Sequence, residues 1–214
     1  LKIISGLLPA TSGEIQVSGH AVDGPLENVG MVFQAPVLLK WKTVLGNVML
    51  PVEFARLSWA DYLEKANALI RLVGLQGFER MHPYELSGGM QQRVSLCRAL
   101  VTDPQILLMD EPFGALDAMT RDELDLELLR IWDERKKTVV FVTHNIQEAV
   151  FLSDYVVVMS PRPGKVLEML KIELPRPRSF EMMGLKHFGD YTLHIRSRLA
   201  SVSGRPEAAG GSTS

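Results

Sequence analysis

The chain has 214 residues, of which 46% are hydrophobic and 22% charged, with a net charge of −2 and a single cysteine. That length can bury a sizeable core as one domain or two lobes. The near-neutral charge excludes a globally basic nucleic-acid binder, and the lone Cys97 excludes a disulfide framework. No apolar run reaches the length of a membrane span, and nothing resembles a signal peptide.

Residues Leu1 to Leu8 read as the tail of an amphipathic helix stopped by Gly6 and Pro9. Because residue 1 is Leu, and because it falls within that pattern, the chain is expected to begin at a cut end. Glu14 to Ser18 alternates as a strand that stops at Gly19. Val29 to Gln34 reads as a short buried strand with a polar end. A helix follows at about Leu45 to Phe54. Before it lies Trp41, which is equally readable as a partner contact or as a core tryptophan between two helices. Ser58 to Val73 is a further helix, with Ser58 able to cap it and Tyr62, Ala66, Leu69, Ile70 and Val73 at helical spacing.

The stretch Leu86-Ser87-Gly88-Gly89-Met90-Gln91-Gln92-Arg93 opens the next helix. Ser87 suits an N-cap. Gly88 and Gly89 leave the backbone bare, so their N–H groups and the positive helix end can meet an anion closely. Cys97 in this helix is expected to be a buried structural thiol. Gln105 to Met109 is an uninterrupted apolar strand, expected to be buried on both faces, and it ends in Asp110-Glu111-Pro112. A long helix from about Ala118 to Lys136 leads to a second buried strand, Thr138 to Thr143, and a short helix, Asn145 to Leu152. Tyr155 to Met159 reads as a third strand, and Pro161 to Gly164 turns into Lys165 to Ile172. Such alternation implies an α/β sheet with ligands at the carboxyl ends of its strands, where Asp110, Glu111 and His144 fall. From Pro175 the pattern changes to an extended Leu174-Pro175-Arg176-Pro177-Arg178, a helical appendage at about Met182 to Leu199, and a disordered Gly/Ser/Ala-rich tail from Ser201 to Ser214.

Leu86 to Arg93, taken with Leu107-Leu108-Met109-Asp110-Glu111-Pro112-Phe113-Gly114-Ala115-Leu116-Asp117, resembles the signature motif, Walker B motif and D-loop of an ABC-transporter ATPase subunit. The similarity spans roughly Leu1 to Arg178. It implies an α/β P-loop NTPase (RecA-like) core with an inserted helical lobe. On that pattern residues 1–34 form the first, incomplete part of the RecA-like lobe and 35–100 the helical signature lobe. Residues 101–175 form its second part, and 176–214 a C-terminal appendage.

The resemblance also implies ATP and Mg²⁺ as cofactors. Asp110 would serve the Mg²⁺ shell together with Gln34, the counterpart of the Q-loop glutamine. Glu111 would be the general base for the attacking water, and His144, in Val142-Thr143-His144-Asn145, the counterpart of the H-loop histidine at the γ-phosphate. Ser87, Gly88, Gly89 and Gln91 would contact nucleotide as part of the signature, in trans, on a partner's ATP. Asp117 resembles the D-loop aspartate that communicates across a dimer; an N-cap role for it is compatible with that. The implied partners are a second ATPase subunit, a permease docking near Gln34 to Trp41 and the helical lobe, and, indirectly, a solute-binding protein, with no nucleic acid. The implied location is the cytoplasmic face of the inner membrane.

This sequence departs from the family at one point: nothing in it matches G-x-x-x-x-G-K-[ST]. The pairs Gly19/Gly24 and Gly184/Gly189 are followed by Pro25 and Asp190 where the motif needs Lys. The run Leu1 to Ile15 resembles the segment that directly follows the P-loop, so the expectation is a partial sequence of an ordinary transporter ATPase. The alternative is a non-hydrolysing pseudo-ATPase subunit that completes only a partner's site through its signature. Intact Asp110, Glu111 and His144 favour the first. DNA-repair relatives with the same motifs separate their halves by a long coiled coil, and no sustained heptad run exists here. Three pieces resemble the nitrate/sulfonate/taurine importer group: Phe33-Gln34 with Leu39 to Val44, Met159 to Val166, and Leu174 to Arg178. The cargo itself is set by other subunits.

Overall fold

A computed structural model describes residues 1–114 and 116–203. It separates into two compact units, Leu1–Thr143 and the part from His144 onward. Among the described residues, no helix is long and apolar enough to cross a membrane.

The first unit opens on a turn rather than the expected helix tail. Ser5 N–H reaches Leu1 carbonyl at 2.9 Å, but Gly6 then takes φ +74° and the helical path ends there. Strands β1 (Gln16–Val17) and β2 (His20–Ala21) form a hairpin. Its two-residue loop, Ser18 and Gly19, has both φ values positive at 51° and 80°. That mirror-image turn matches strand twist, which explains why the alternating run from Glu14 stops at Gly19.

Strands β3 (Val29–Val32), β4 (Ile106–Asp110) and β5 (Thr138–Val142) form a parallel sheet in that spatial order. The register sets Val32 beside Met109 and Asp110 beside Val142. Leu107, Leu108 and Met109 are fully buried, as a central parallel strand requires. The expectation of a second fully buried strand fails at β5. It is an edge strand among those described, its residues are half-buried or exposed, and Val142 is 41% exposed. Gly30 has a structural reason: a Cβ there would lie 2.4 Å from the carbonyl of Ala99.

Between β3 and β4 the chain is helical. The single helix expected at Leu45 to Phe54 is two, α1 (Val44–Val48) and α2 (Leu50–Phe54), because Pro51 restarts the chain as an N-terminal helical residue. Helix α3 (Trp59–Leu72) buries Ala66, Leu69 and Ile70; Ser58 stands at its N-cap position but makes no side-chain capping bond. Helix α4 (Gly88–Leu100) is capped by Ser87, whose Oγ accepts from Met90 N–H at 3.2 Å. Its inner face carries Val94, Leu96, Ala99, Leu100 and Cys97, whose burial pushes the thiol pKa up and leaves it inert.

A buried amide organises the loop ahead of α1. Asn47 Oδ1 accepts from Leu39 N–H at 2.8 Å, and its Nδ2 donates to the carbonyls of Leu39, Lys42 and Thr43 at 3.0–3.1 Å. Because Asn47 is fully buried, removing the amide takes from Leu39 N–H and the Lys42 carbonyl the partner they have there, while the Leu39 and Thr43 carbonyls keep backbone bonds from Lys42 and Asn47 N–H. Asn47→Ala is expected to destabilise the chain by about 2–3 kcal/mol in urea unfolding. A change under about 0.5 kcal/mol, the ordinary surface value, would mean the loop is held by other means. The side chain this loop displays is Trp41, 76% exposed, so the core reading of that tryptophan is excluded.

Helix α5 (Ala118–Arg135) begins at the Asp117 cap and ends at Lys136 in the left-handed region. Leu124, Leu128 and Ile131 are its buried face.

The second unit holds α6 (Ile146–Leu152), β6 (Tyr155–Met159), β7 (Val166–Lys171), a short 3-10 turn (Phe180–Gly184) and α7 (Lys186–Ser203). Within this unit β6 pairs antiparallel with β7, with Val157 opposite Met169. Val156 and Val158 face inward while Tyr155, Val157 and Met159 are exposed, the period-2 signature of a half-covered strand. The expected helical appendage exists as α7, which packs Phe188 and Ile195 inward. The tail expected to be disordered lies, from residue 204, outside the described residues.

Candidate nucleotide site

Asp110 and Glu111 stand at the carboxyl end of β4. Asp110 is the last residue of the strand and is half-buried. The next residue leaves the strand direction: Glu111 has φ +42°, and its N–H donates to the Val142 carbonyl at 2.8 Å. A left-handed Glu is costly, and residues held in such regions cluster at functional sites, where the surroundings over-determine them. The turn sends the Glu111 carboxylate toward β3, where Gln34 Nε2 donates to Glu111 Oε2 at 3.2 Å. Two residues 77 positions apart in sequence, both expected at the site, are thus brought together.

The fit to a metal rests on the donor set. Among the described residues, no group of three or more His, Cys, Asp or Glu is arranged to hold a metal ion. The Asp110 carboxylate and the Gln34 amide offer a small number of hard oxygens. That suits Mg²⁺, which takes one or two protein ligands and completes its octahedron with water and phosphate.

The loop after Gln34 is fastened to α4 by residues the sequence reading passed over. Gln92 is buried and its Nε2 donates to the Phe33 carbonyl at 3.2 Å. Arg98 donates through Nη2 to the Pro36 carbonyl and through Nη1 to the Val37 carbonyl, both at 2.9 Å. Burial lowers the pKa of Arg98. Val37 has φ +45°, an outlier for a β-branched residue, and the Arg98 fork holds it there. The signal available in sequence was only that both residues sit on the helix opened by Ser87-Gly88-Gly89.

At the start of α4, Ser87 and Gly88 are exposed and Gly89 half-buried. Gln91 Nε2 donates to the carbonyls of Pro83 at 2.9 Å and Leu86 at 3.3 Å, which fixes the loop entering the helix. Gly89 is needed for close approach: a Cβ on it would lie 2.6 Å from Thr120 Cγ2. Thr120 is in turn held by Asp117, whose Oδ2 accepts from Thr120 Oγ1 at 2.7 Å and whose Oδ1 accepts from Thr120 N–H at 3.1 Å. A second tie, the ion pair of Arg93 with Glu123, joins α4 to α5 farther along, and Arg93 also donates to the Val73 carbonyl at 3.0 Å. The structure therefore connects Asp117 to the Ser87–Gly89 turn through one residue.

Those two Thr120 hydrogen bonds, side chain first, hold the Asp117 carboxyl below its usual pKa. A depressed carboxyl stabilises the fold fully above its unfolded value, and the contribution is lost as pH falls through the lowered folded value. Asp117→Asn keeps a capping oxygen but cannot titrate. The stability difference between wild type and Asp117→Asn is thus expected to be constant from pH 7 to pH 5 and to shrink only in more acidic solution. Equilibrium unfolding from pH 7 down into the acid range below the usual carboxyl pKa checks it; a difference that stays unchanged throughout would remove the ionised cap.

His144 opens the second unit, exposed, directly before the α6 cap Asn145, whose Oδ1 accepts from Gln147 N–H at 3.0 Å and Glu148 N–H at 3.3 Å. The capped start fixes the backbone on which His144 is carried.

Comparison with known proteins gives these features a family. The profile described as ABC transporter matches residues 1–114. An ABC transporter ATP-binding protein of Methanocaldococcus jannaschii, MJ0412, is 52% identical over 83% of this chain and 67% of its own length. The taurine import ATP-binding protein TauB of Rhizobium johnstonii is 49% identical over 82% of this chain and 67% of its own. The aliphatic sulfonates import ATP-binding protein SsuB of Bacillus cereus is 46% identical over 84% and 70% respectively. In three dimensions the chain is similar to the dimeric, post-hydrolysis ATP-binding cassette MJ0796 bound to ADP and Pi, with a TM-score of 0.70, 30% identity, and 81% and 79% of the two chains covered. Similarity at this level, over most of the chain and in both sequence and fold, places it in the ABC transporter family as an ATP-binding subunit.

Proposed function

We propose that this subunit hydrolyses ATP to drive an importer for small sulfonate-type solutes, taurine or aliphatic sulfonates, in the group that also handles nitrate. The observation that carries this reading is the pair of import ATP-binding proteins matched at 46–49% identity over more than four fifths of the chain. The subunit works as one half of an ATPase dimer at the cytoplasmic face of the inner membrane, bound to a permease that receives solute from a binding protein. Exposed Trp41 and Phe54, at 76% and 79%, support a contact surface for the permease on the helical segment beside Gln34.

In the ATP site, Asp110 and Gln34 would hold Mg²⁺, which would supply charge neutralisation for the phosphates when bound. Glu111 takes the proton of the attacking water; the Gln34 amide at 3.2 Å orients its carboxylate. His144 contacts the γ-phosphate. Ser87, Gly88 and Gly89 present their N–H groups and the α4 dipole to the partner's nucleotide, with Gln91 fixing the loop behind them and Asp117 signalling across the dimer. The test is ATPase activity of the complete transporter in proteoliposomes with its solute-binding protein. Stimulation by taurine or an alkanesulfonate is expected. ATPase activity that responds to neither would overturn the cargo class.

A further inference from the structure

Helix α6 is only seven residues long, too short to persist on its own hydrogen bonds. Besides the Asn145 cap at its start, it is held at its far end. The last carbonyls of a helix have no partner within it, and here they are met by Leu174-Pro175-Arg176-Pro177-Arg178. Arg178 Nη1 donates to the Phe151 carbonyl at 2.7 Å and the Val150 carbonyl at 3.3 Å, and Arg176 Nη2 donates to the Leu152 carbonyl at 3.4 Å. The Arg178 side chain is completely enclosed, with Nη2 at 3.6 Å from Asp154 Oδ1, an ion-pair distance too long for a hydrogen bond. Asp154 is itself gripped by Arg176 through Nε at 3.1 Å and Nη2 at 2.8 Å. Two residues beyond Arg178, Phe180 stacks on Phe151 at 5.2 Å between ring centres.

Burial, and next the neighbouring Arg176, lower the pKa of Arg178 to about 10, so it stays protonated at neutral pH. A cation buried at such cost needs a return. Positive charge against the C-terminal carbonyls of a helix is favourable. The two guanidinium groups together cover three successive carbonyls that a lone cap would leave exposed. The opposite end of α6, about 10 Å away at ~1.5 Å per residue, is the Asn145 cap with His144 next to it.

We propose that Arg178, supported by Arg176 and Asp154, is a positioning residue for His144: the arginine clamp sets the direction and register of α6 and thereby where the imidazole is presented. This rests on the role proposed above for His144 at the γ-phosphate. It gives the Pro-Arg-Pro-Arg segment a part in turnover, carried through one short helix rather than by contact with nucleotide.

The test uses the complete transporter. Arg178→Met, similar in length but uncharged, is expected to lower kcat about 10–100-fold, the scale of a roughly 1 Å misplacement, with the KM for ATP changed less than about threefold. Arg178→Lys, which keeps the charge and part of the reach, is expected to restore part of kcat. In a His144→Ala background, Arg178→Met should cost no further activity, because its effect passes through His144. Multiplicative losses in that double variant, or wild-type kcat in Arg178→Met, would overturn the proposal. If Arg178→Met folds too poorly to assay, Arg176→Gln removes the Asp154 grip and must show the same kcat-selective loss; unchanged kcat in it also overturns the proposal. A readout independent of catalysis is the imidazole NMR signal of His144, which should shift in Arg178→Met. Should His144→Ala turn over normally while that signal moves, the proposed role of His144 is wrong and the clamp on its position stands.

Discussion

In a subunit that carries the G-x-x-x-x-G-K-[ST] segment these residues lack, Glu111→Gln is expected to bind ATP and to accumulate as an ATP-bound dimer while turnover falls by about 10²–10⁴-fold, the usual worth of a positioned general base. The substitution keeps the shape and hydrogen-bonding reach of the side chain and removes its ability to take a proton. It also keeps the left-handed turn at φ +42°, with the N–H on the Val142 carbonyl, because that geometry belongs to the backbone. The Gln34 amide at 3.2 Å would then face an amide where it now faces a carboxylate oxygen. Gln34→Ala should show a milder loss, since it frees the orientation of the base but leaves its chemistry. Single-turnover hydrolysis, with nucleotide occupancy measured in parallel, separates the two. Near-normal turnover in Glu111→Gln would remove it from the role of base.

Gly89→Ala is expected to abolish most transporter ATPase activity through a contact inside its own subunit. The added methyl would stand 2.6 Å from Thr120 Cγ2, a separation that real Cβ atoms do not tolerate. Thr120 cannot swing away cheaply. It is β-branched, and its Oγ1 is held by Asp117 at 2.7 Å. Overpacking of this kind costs about 1–3 kcal/mol. Here the strain falls on the Ser87–Gly89 turn proposed to meet the partner's nucleotide, so a loss of about 10–100-fold in kcat/KM follows from that range. The diagnostic is its rescue. Thr120→Ser removes Cγ2 and keeps the hydroxyl on Asp117, so Gly89→Ala combined with Thr120→Ser should regain most activity. Failure of the serine to rescue would show that Gly89 is required for nucleotide approach alone.

What the sequence made legible follows from which interactions are local. The Asp110-Glu111 pair, the Ser87 cap and the long α5 pattern are written in contiguous residues, and their positions could be read directly. Trp41 could not be resolved, because one aromatic reads alike as core or contact until its surroundings are known; the Asn47 amide, which holds its loop out toward solvent, is an unremarkable asparagine in sequence. Pro51 divides the expected helix in two because it has no N–H to continue the hydrogen-bond ladder and instead opens a second helix at its first turn. Strand β5 looked like a buried strand from composition alone, yet burial depends on what lies beside it. The partners that tie the site together, Gln92 with Phe33, Arg98 with Pro36 and Val37, and Gly89 with Thr120, are joined across 59, 62, 61 and 31 positions or by shape alone, where no periodicity points. Arg178 was visible as part of a motif, but its partners on α6 were not.

The staples from Gln92 and Arg98 carry a thermodynamic consequence. They tie the loop around Gln34 and the helix behind Ser87 into one hydrogen-bonded body, so displacing either strains or breaks bonds to the other. In the proposed assembly, one end of that body faces the permease at Trp41 and the other faces the partner's ATP. Coupling between two such ligands is reciprocal. Whatever factor nucleotide engagement adds to the grip on the permease, the permease must return to nucleotide affinity. Titrating ATP with and without permease, and permease with and without ATP, should therefore give the same ratio, and weakening the staple at Arg98 should shrink both ratios together.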